Sequence, residues 1–290
     1  MGSLDWVREL LHPNGSHVVN IIHSGLRNTL SGHSDTVRAI VSISSMMFAT
    51  CSSDTTLRIW DSGTADGVPK CVHILRGHSA PVTSLAFDRK TGLLASAGRD
   101  DSCRIWRPRG TCVAVLNNDH TAIYTPVFAS SPGGKAMVIT GGNDGHLTTW
   151  NATTGVRLQT LEGHTEMVRM IVSSRHRSDW LFSADVTGTI IAWTYQNGWR
   201  LVWKVPEAHE FSVSALCVKG GSLLTAGADG KIRIRDLETG SLHRDIGETY
   251  DTVYDTTFQD NTEKSIIAIA SRNGRALVDV SKVRSAAVES

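Results

Sequence analysis

Histidine, serine and aspartate make a hydrolytic triad, and the stretch Leu75 to Arg107 carries His78, Ser96 and Asp100. A nucleophilic serine sits on a strained strand-to-helix elbow, whereas Ser96 lies inside Leu93 to Ala97, a run that reads as a short buried strand. Similar sets of His, hydroxyl and carboxylate recur along the chain, as a structural device would. No strand-linked phosphate loop, HExxH helix motif or CxxC pair occurs. Gly141-Gly142-Asn143-Asp144-Gly145 imitates a phosphate loop weakly and reads better as a turn. The expectation is a non-catalytic chain with no catalytic residue, metal site or cofactor, and a hydrolytic enzyme ranks last among the readings.

The elements that hold these residues are strands. Val82 to Phe87 alternates apolar and small polar residues, Leu93 to Ala97 follows, and Cys103 to Trp106 alternates again before Pro108. Lys90-Thr91-Gly92 and Arg99-Asp100-Asp101 supply the turns. This unit repeats. Equivalent histidines stand at His33, His78, His120, His164 and His209, spaced 45, 42, 44 and 45 residues apart. Four residues after each comes Val37, Val82, Tyr124, Val168 or Val213, which opens a strand. Trp60, Trp106, Trp150 and Trp193 close the first four units, and Arg235 closes the fifth. A period of about 40 to 45 residues with a Gly-His start and a Trp-Asp finish is the signature of a four-stranded propeller blade.

On these residues the chain resembles the WD-repeat β-propeller family, over about residues 26 to 280. The resemblance implies a hydrogen-bonded tetrad in each blade, made of His before the first strand, Ser or Thr in the second, Asp after it, and Trp in the third. His33, Thr50, Asp54 and Trp60 would form the first tetrad, His78, Ser96, Asp100 and Trp106 the second, and His120, Thr140, Asp144 and Trp150 the third. The fourth unit has His164, Ser183 and Trp193 but Thr187 at the Asp position; the fifth has His209, Thr225 and Asp229 but Arg235 for Trp. A sixth, Tyr250 to Val280, carries no tetrad. Such sets matter because a buried donor or acceptor left unpaired costs about 1–3 kcal/mol.

The expected fold class is all-β: a single WD-repeat propeller over residues 17–280, with a helical extension at 1–16 and a polar tail at 281–290. Six blades are preferred and seven are the alternative, because Val18 to Ile22 and Leu26 to Leu30 read as two further strands before the first Gly-His. In this family the N-terminal strand usually completes the last blade, so the ring would close on itself and lose its exposed edges. A ring completed by strands from a partner is the competing arrangement. Ser3 followed by Leu4 to Leu11 and stopped by Pro13 reads as a short N-terminal helix that either caps its own propeller or docks on a partner. Arg175-His176-Arg177 reads as a small basic loop and Asn197-Gly198 as a hairpin turn. Trp199 and Trp203 flank an outer strand, either packed on Tyr195 or a neighbouring blade or exposed as a side-face contact.

With 290 residues the chain has room for one propeller and for no second domain. Its net charge of +1 weighs against nucleic acid as a partner. Cys51, Cys71, Cys103, Cys112 and Cys217 lie in strand-like contexts and read as free thiols in a reducing compartment. No signal-peptide core and no apolar run near the ~20 residues of a membrane span is present. The expected location is therefore cytoplasmic or nuclear, without a membrane.

Two positions per blade are expected on the upper rim around the central channel. The residue after the first strand's leading apolar residue gives Arg38, Thr83, Thr125, Arg169, Ser214 and Tyr254; the residue before the turn Asp gives Ser53, Arg99, Asn143, Val186, Ala228 and Arg272. Four are arginine and none is a carboxylate. Guanidinium groups around one opening repel each other and suit an anion, with geometry matched to carboxylate or phosphate. WD-repeat proteins that read phosphorylated peptides place arginines at these positions. Arg38, Arg99, Arg169 and Arg272, with Tyr254, are therefore the candidate partner-binding residues, and the partner an acidic or phosphorylated protein segment. The competing reading pairs each arginine with a nearby carboxylate such as Asp35 or Asp101. The functional expectation is a scaffold or adaptor, monomeric within a larger complex; the alternative is a structural subunit that contacts partners through a blade edge or the N-terminal helix.

Overall fold

A computed structural model describes residues 7–9, 18–23, 26–64, 68–117, 123–131, 133–174, 179–219, 221–248, 253–261, 264–271 and 274–279, with the strands at 7–29 and 246–279 described by their backbone. Every regular element among them is a strand. Contacts divide the chain into two units, Met1–Leu161 and Glu162–Ser290.

In the first unit, β1 (Val7–Glu9), β2 (Val18–His23) and β3 (Leu26–Ser31) form a three-stranded antiparallel sheet. Three four-stranded sheets follow. They are β4 (Val37–Ser42), β5 (Met47–Ser52), β6 (Leu57–Asp61) and β7 (Lys70–Leu75); β8 (Val82–Asp88), β9 (Leu93–Gly98), β10 (Ser102–Trp106) and β11 (Cys112–Asn117); and β12 (Ile123–Ser130), β13 (Ala136–Gly142), β14 (Leu147–Asn151) and β15 (Arg157–Leu161). The second unit has two more, β16 (Val168–Ser173), β17 (Trp180–Asp185), β18 (Ile190–Tyr195) and β19 (Trp199–Val205), then β20 (Val213–Lys219), β21 (Ser222–Gly227), β22 (Lys231–Asp236) and β23 (Leu242–Glu248). It ends in a three-stranded sheet of β24 (Val253–Asn261), β25 (Lys264–Ser271) and β26 (Gly274–Asp279).

Burial follows strand order within each sheet. The second strands of the four-stranded sheets are buried along almost their whole length, completely so in β9 and β17, which explains runs of apolar and small residues such as Leu93-Leu94-Ala95-Ser96-Ala97. The outer strands are mostly exposed or half-buried, β7 exposing every other side chain. The core lies between successive sheets: Ala49, Cys51, Leu57 and Ile59 of one sheet pack with Val82, Leu94 and Trp106 of the next. First strands lie side by side, β4 on β8, β8 on β12, β16 on β20 and β20 on β24.

Two irregularities recur. The first strand of every sheet but β1–β3 carries a register shift beside its second residue, at Val37/Ala39, Val82/Ser84, Ile123/Thr125, Val168/Met170, Val213/Ala215 and Val253/Asp255. Each third-to-fourth strand pair of the four-stranded sheets has another, at Ile59/Trp60, Ile105/Trp106, Thr149/Trp150, Ala192/Trp193 and Ile234/Arg235. Both are β-bulges that leave one residue unpaired.

Three expectations are corrected or refined. Val7–Glu9, in the middle of the expected N-terminal helix, is strand β1, with Val7 opposite Ile22 and Arg8 opposite Ile21. An isolated helix of eight residues is marginal in water, so pairing with the Val- and Ile-rich β2 prevails over the local helical pattern. The N-terminal strands form a sheet of their own instead of adding one strand to the last sheet. Trp199 is buried and meets Tyr195 edge-on at 5.5 Å, while Trp203 packs on Phe182 and donates its indole N–H to the Leu237 carbonyl at 3.1 Å. Neither indole is the exposed contact considered above. Asn197-Gly198 is the expected hairpin turn, with φ of 57° and 140°; the Arg175-His176-Arg177 loop lies outside the described residues.

Between β17 and β18, Gly188 has φ of +88°, and a Cβ there would run into the His209 and Phe211 carbonyl groups. Gly188→Ala is expected to destabilise the fold by about 1–3 kcal/mol, read as a lowered thermal midpoint. Gly221→Ala, where nothing lies within 4 Å, is expected to leave the midpoint nearly unchanged.

Candidate functional site

The His, hydroxyl, carboxylate and indole groups meet as the repeat requires. His33 Nδ1 lies 2.8 Å from Asp54 and its Nε2 2.8 Å from Thr50 Oγ1, which also accepts the Trp60 indole N–H at 2.9 Å. In the next sheet His78 lies 2.9 Å from Asp100 and 2.7 Å from Ser96 Oγ, and Trp106 donates to the same oxygen at 2.8 Å. An ionised carboxylate only accepts, so Nδ1 carries the proton and the hydroxyl donates to Nε2. Thr140 and Trp150 repeat the pairing at 2.9 Å, while the exposed Asp144 pairs with His146 at 3.2 Å; His120 lies outside the described residues.

Two sheets depart from the pattern. In the fourth unit the carboxylate is supplied by Asp185, not by the residue at the Thr187 position: Asp185 lies 2.7 Å from His164 Nδ1 and accepts from Thr187 Oγ1 at 2.7 Å. His164 Nε2 and the Trp193 indole converge on Ser183 Oγ at 2.7 and 2.8 Å. In the fifth, His209 reaches Asp229 and Thr225, and Arg235 takes the indole's place, buried and donating to the Gly240 and Ala208 carbonyls. Arg233 joins it on Ala208 and pairs with Asp229 and Asp245.

Asp–His–Ser connectivity here is that of a hydrolase, and burial removes its chemistry. Ser96 is 0% exposed and His78 5%, and the serine oxygen is already occupied by an indole N–H, so no substrate reaches it. Burial lowers the pKa of His33, His78 and His209 below the ordinary value, against the raising effect of their Asp partners. Burial alone would raise Asp54, but bonds from Thr56, His33 and Ser34 outweigh it and lower its pKa to about 2. Among the described residues no cluster of His, Cys, Asp and Glu is arranged to hold a metal ion.

The first-strand bulge builds the second candidate site. It leaves Arg38 and Arg169 unpaired and exposed. Arg38 Nε donates to Ser53 Oγ at 2.8 Å, and Arg169 Nη1 to Ser212 Oγ at 3.4 Å. Arg99, exposed on the β9–β10 turn, is fixed by its backbone N–H to the Pro81 carbonyl at 2.9 Å. The same backbone bond places Ser53, Val186 and Ala228 beside the start of their first strands, so the two expected sets of positions lie together. Arg38 and Arg99 belong to adjacent sheets of the first unit; Arg169 and Tyr254 belong to the second, where Tyr254 sits at the bulge of β24. Arg272 lies outside the described residues. None of the three described arginines forms an ion pair with a described residue. One position is corrected by a residue: the bulge of β12 falls at Tyr124, so Tyr124 and not Thr125 is equivalent to Arg38. Its carbonyl accepts from Thr83 Oγ1 at 3.3 Å, linking neighbouring bulges.

Repeated four-stranded sheets, four of them tied by an imidazole between a carboxylate and a hydroxyl, define a propeller-blade protein. The family described as "WD domain, G-beta repeat" matches residues 24–61 and 69–107. Cell division control protein 4 of Saccharomyces cerevisiae is 25% identical over 87% of this chain, and Nuclear distribution protein PAC1 of Arthroderma benhamiae 30% over 51%. The chain spans only 28% and 33% of the length of these two relatives. Regulator of rDNA transcription protein 13 of Saccharomyces cerevisiae is 28% identical over 73% of this chain and 97% of its own length. None of these names is an enzyme's. The crystal structure of the computationally designed Ika8 protein shares the fold, with a TM-score of 0.74 at 22% identity over 91% of this chain and 81% of that one. The chain thus carries WD repeats at residues 24–61 and 69–107 and is similar to WD-repeat proteins over most of its length.

Two predictions follow from the buried sets. Asp185→Ala is expected to cost about 2–4 kcal/mol by stranding His164 and two backbone N–H groups, and Thr187→Ala under about 1 kcal/mol, as measured by denaturant unfolding. With pKa values lowered from 6.5, the buried histidines stabilise the fold fully above pH 6.5, and that contribution fades as pH falls through their folded values. The Asp54 contribution, present above 3.8, fades between 3.8 and about 2. The denaturation midpoint should therefore be flat above pH 6.5 and fall in two stages on the acid side.

Proposed function

We propose that this chain is a non-catalytic scaffold or adaptor whose upper rim binds an acidic or phosphorylated segment of a partner protein through Arg38, Arg99, Arg169 and Arg272, with Tyr254. The observation that carries this reading is the first-strand bulge, which holds Arg38 and Arg169 exposed with, among the described residues, only neutral serine hydroxyls as side-chain hydrogen-bond partners. A neutral partner leaves the guanidinium charge uncompensated, so an incoming carboxylate or phosphate gains charge-assisted bonds. The relatives' names speak of control, distribution and regulation, in keeping with an adaptor of the cytoplasm or nucleus. The seven sheets support seven blades rather than six. A second reading, a structural subunit held through a blade edge, draws on β1–β3 and β24–β26, which among the described residues have three strands against four in the other five sheets.

The test is to compare proteins that co-purify with the wild-type chain and with a folded variant carrying Arg38→Ala, Arg99→Ala, Arg169→Ala and Arg272→Ala, from extracts with and without phosphatase treatment. The principal partner is expected to disappear with the variant, and with phosphatase too if it is read through phosphate. An unchanged partner list would overturn the rim reading.

A further inference from the structure

A second surface, independent of the arginine rim, lies on the outer flank where the β8–β11 and β12–β15 sheets meet. The chain supplies its own comparison. In the second unit the turn after β22 packs on the preceding sheet, with Gly240, at φ +72°, against the Trp203 ring. In the first unit Gly155, at φ +71°, takes the same place: a Cβ there would lie 3.2 Å from Ala114 and 3.8 Å from the Val115 carbonyl oxygen. Register makes the two junctions equivalent, because Ala114 pairs with Ile105 just before Trp106, and Trp203 pairs with Ala192 just before Trp193.

The flanking side chains differ. Val115, Val156 and Leu158 stand where the second unit has Lys204, Ser241 and His243. They are 42%, 59% and 51% exposed. The same backbone accepts an amine, a hydroxyl and an imidazole at these places, so the fold does not require three apolar residues there. Clustered apolar side chains that a fold does not require mark a contact surface. Its margin is cationic: Arg107 and Arg109 are exposed on the β10–β11 turn, and Arg157 on β15 lies over the Trp150 ring at 6.0 Å and donates to Thr160 Oγ1 at 2.9 Å. Residues 107–117 and 151–161 contain no Asp or Glu.

We propose that Val115, Val156 and Leu158 form a docking surface for an acidic partner segment that lays a bulky apolar side chain across this junction and sets its carboxylates against Arg107, Arg109 and Arg157. Apolar contact supplies the anchor, and charge complementarity selects the flanking residues.

The test is selection of displayed random short peptides on the intact chain. Binders are expected to carry Trp, Phe or Leu flanked by Asp or Glu. They should lose about tenfold in affinity on the variant Val115→Lys, Val156→Ser, Leu158→His, which installs residues the chain already uses at the equivalent junction. An unchanged thermal midpoint certifies that this variant folds. The same peptides should bind a variant with Arg38→Ala, Arg99→Ala and Arg169→Ala as well as they bind wild type, which separates this surface from the rim. Binders without the apolar-acidic pattern, or binders indifferent to the flank variant, would overturn the proposal. So would a wild-type dimer in sedimentation that the flank variant dissolves, since the occupant would then be a second copy.

Discussion

A buried hydrogen-bonded chain carries the architecture of four sheets: carboxylate to imidazole to hydroxyl, with an indole N–H on the same hydroxyl in three of them. It ties the loop before the first strand to the second strand, the turn after it and the third strand, segments that ladder pairing alone leaves adjustable. Water cannot substitute, because Thr50, Ser96, Ser183 and Thr225 are wholly buried. The residue before each histidine answers to the same set. Trp60, Trp106 and Trp193 lie within 3.1 to 3.3 Å of where a Cβ on Gly32, Gly77 and Gly163 would stand. Where Arg235 replaces the indole, that residue is Ala208. The side chain at the end of the third strand and the backbone at the start of the first thus change together.

Much of this was legible in the sequence because a repeat states its pattern several times. The strands, the histidine spacing and three tetrad carboxylates, Asp54, Asp100 and Asp229, sit where the period puts them. What escaped it depended on geometry that spacing cannot carry. Asp185 lies two residues after Ser183 instead of four, yet its side chain reaches His164 because Thr187 and Thr189 fold the turn back onto it. Ile123 follows His120 by three residues instead of four, which moves the bulge to Tyr124. At Val7–Glu9 the local pattern favoured a helix, and only the presence of β2 alongside decides for a strand. The flank patch was invisible until register showed which residues of different blades are equivalent.

The bulges separate two tasks that a flat sheet would combine. The unpaired residue of each first strand is released from the alternation that commits its neighbours to the core. Arg38, Thr83, Tyr124, Arg169 and Ser214 can therefore differ in size and charge while Val37, Val82, Ile123, Val168 and Val213 stay apolar. Recognition chemistry varies at one residue, and packing is left to the next.

The bulges of the outer strands bear on solution behaviour. Five fourth strands each present an open edge, and Val72, Leu158 and Val202 stand at the irregular position, 43%, 51% and 41% exposed. A straight edge with such side chains would template the addition of further strands, from another copy or from a growing fibre. A bulge interrupts the row of N–H and C=O groups and twists the strand away from a flat partner. The flank can then be adhesive through its side chains while its backbone stays inert to polymerisation.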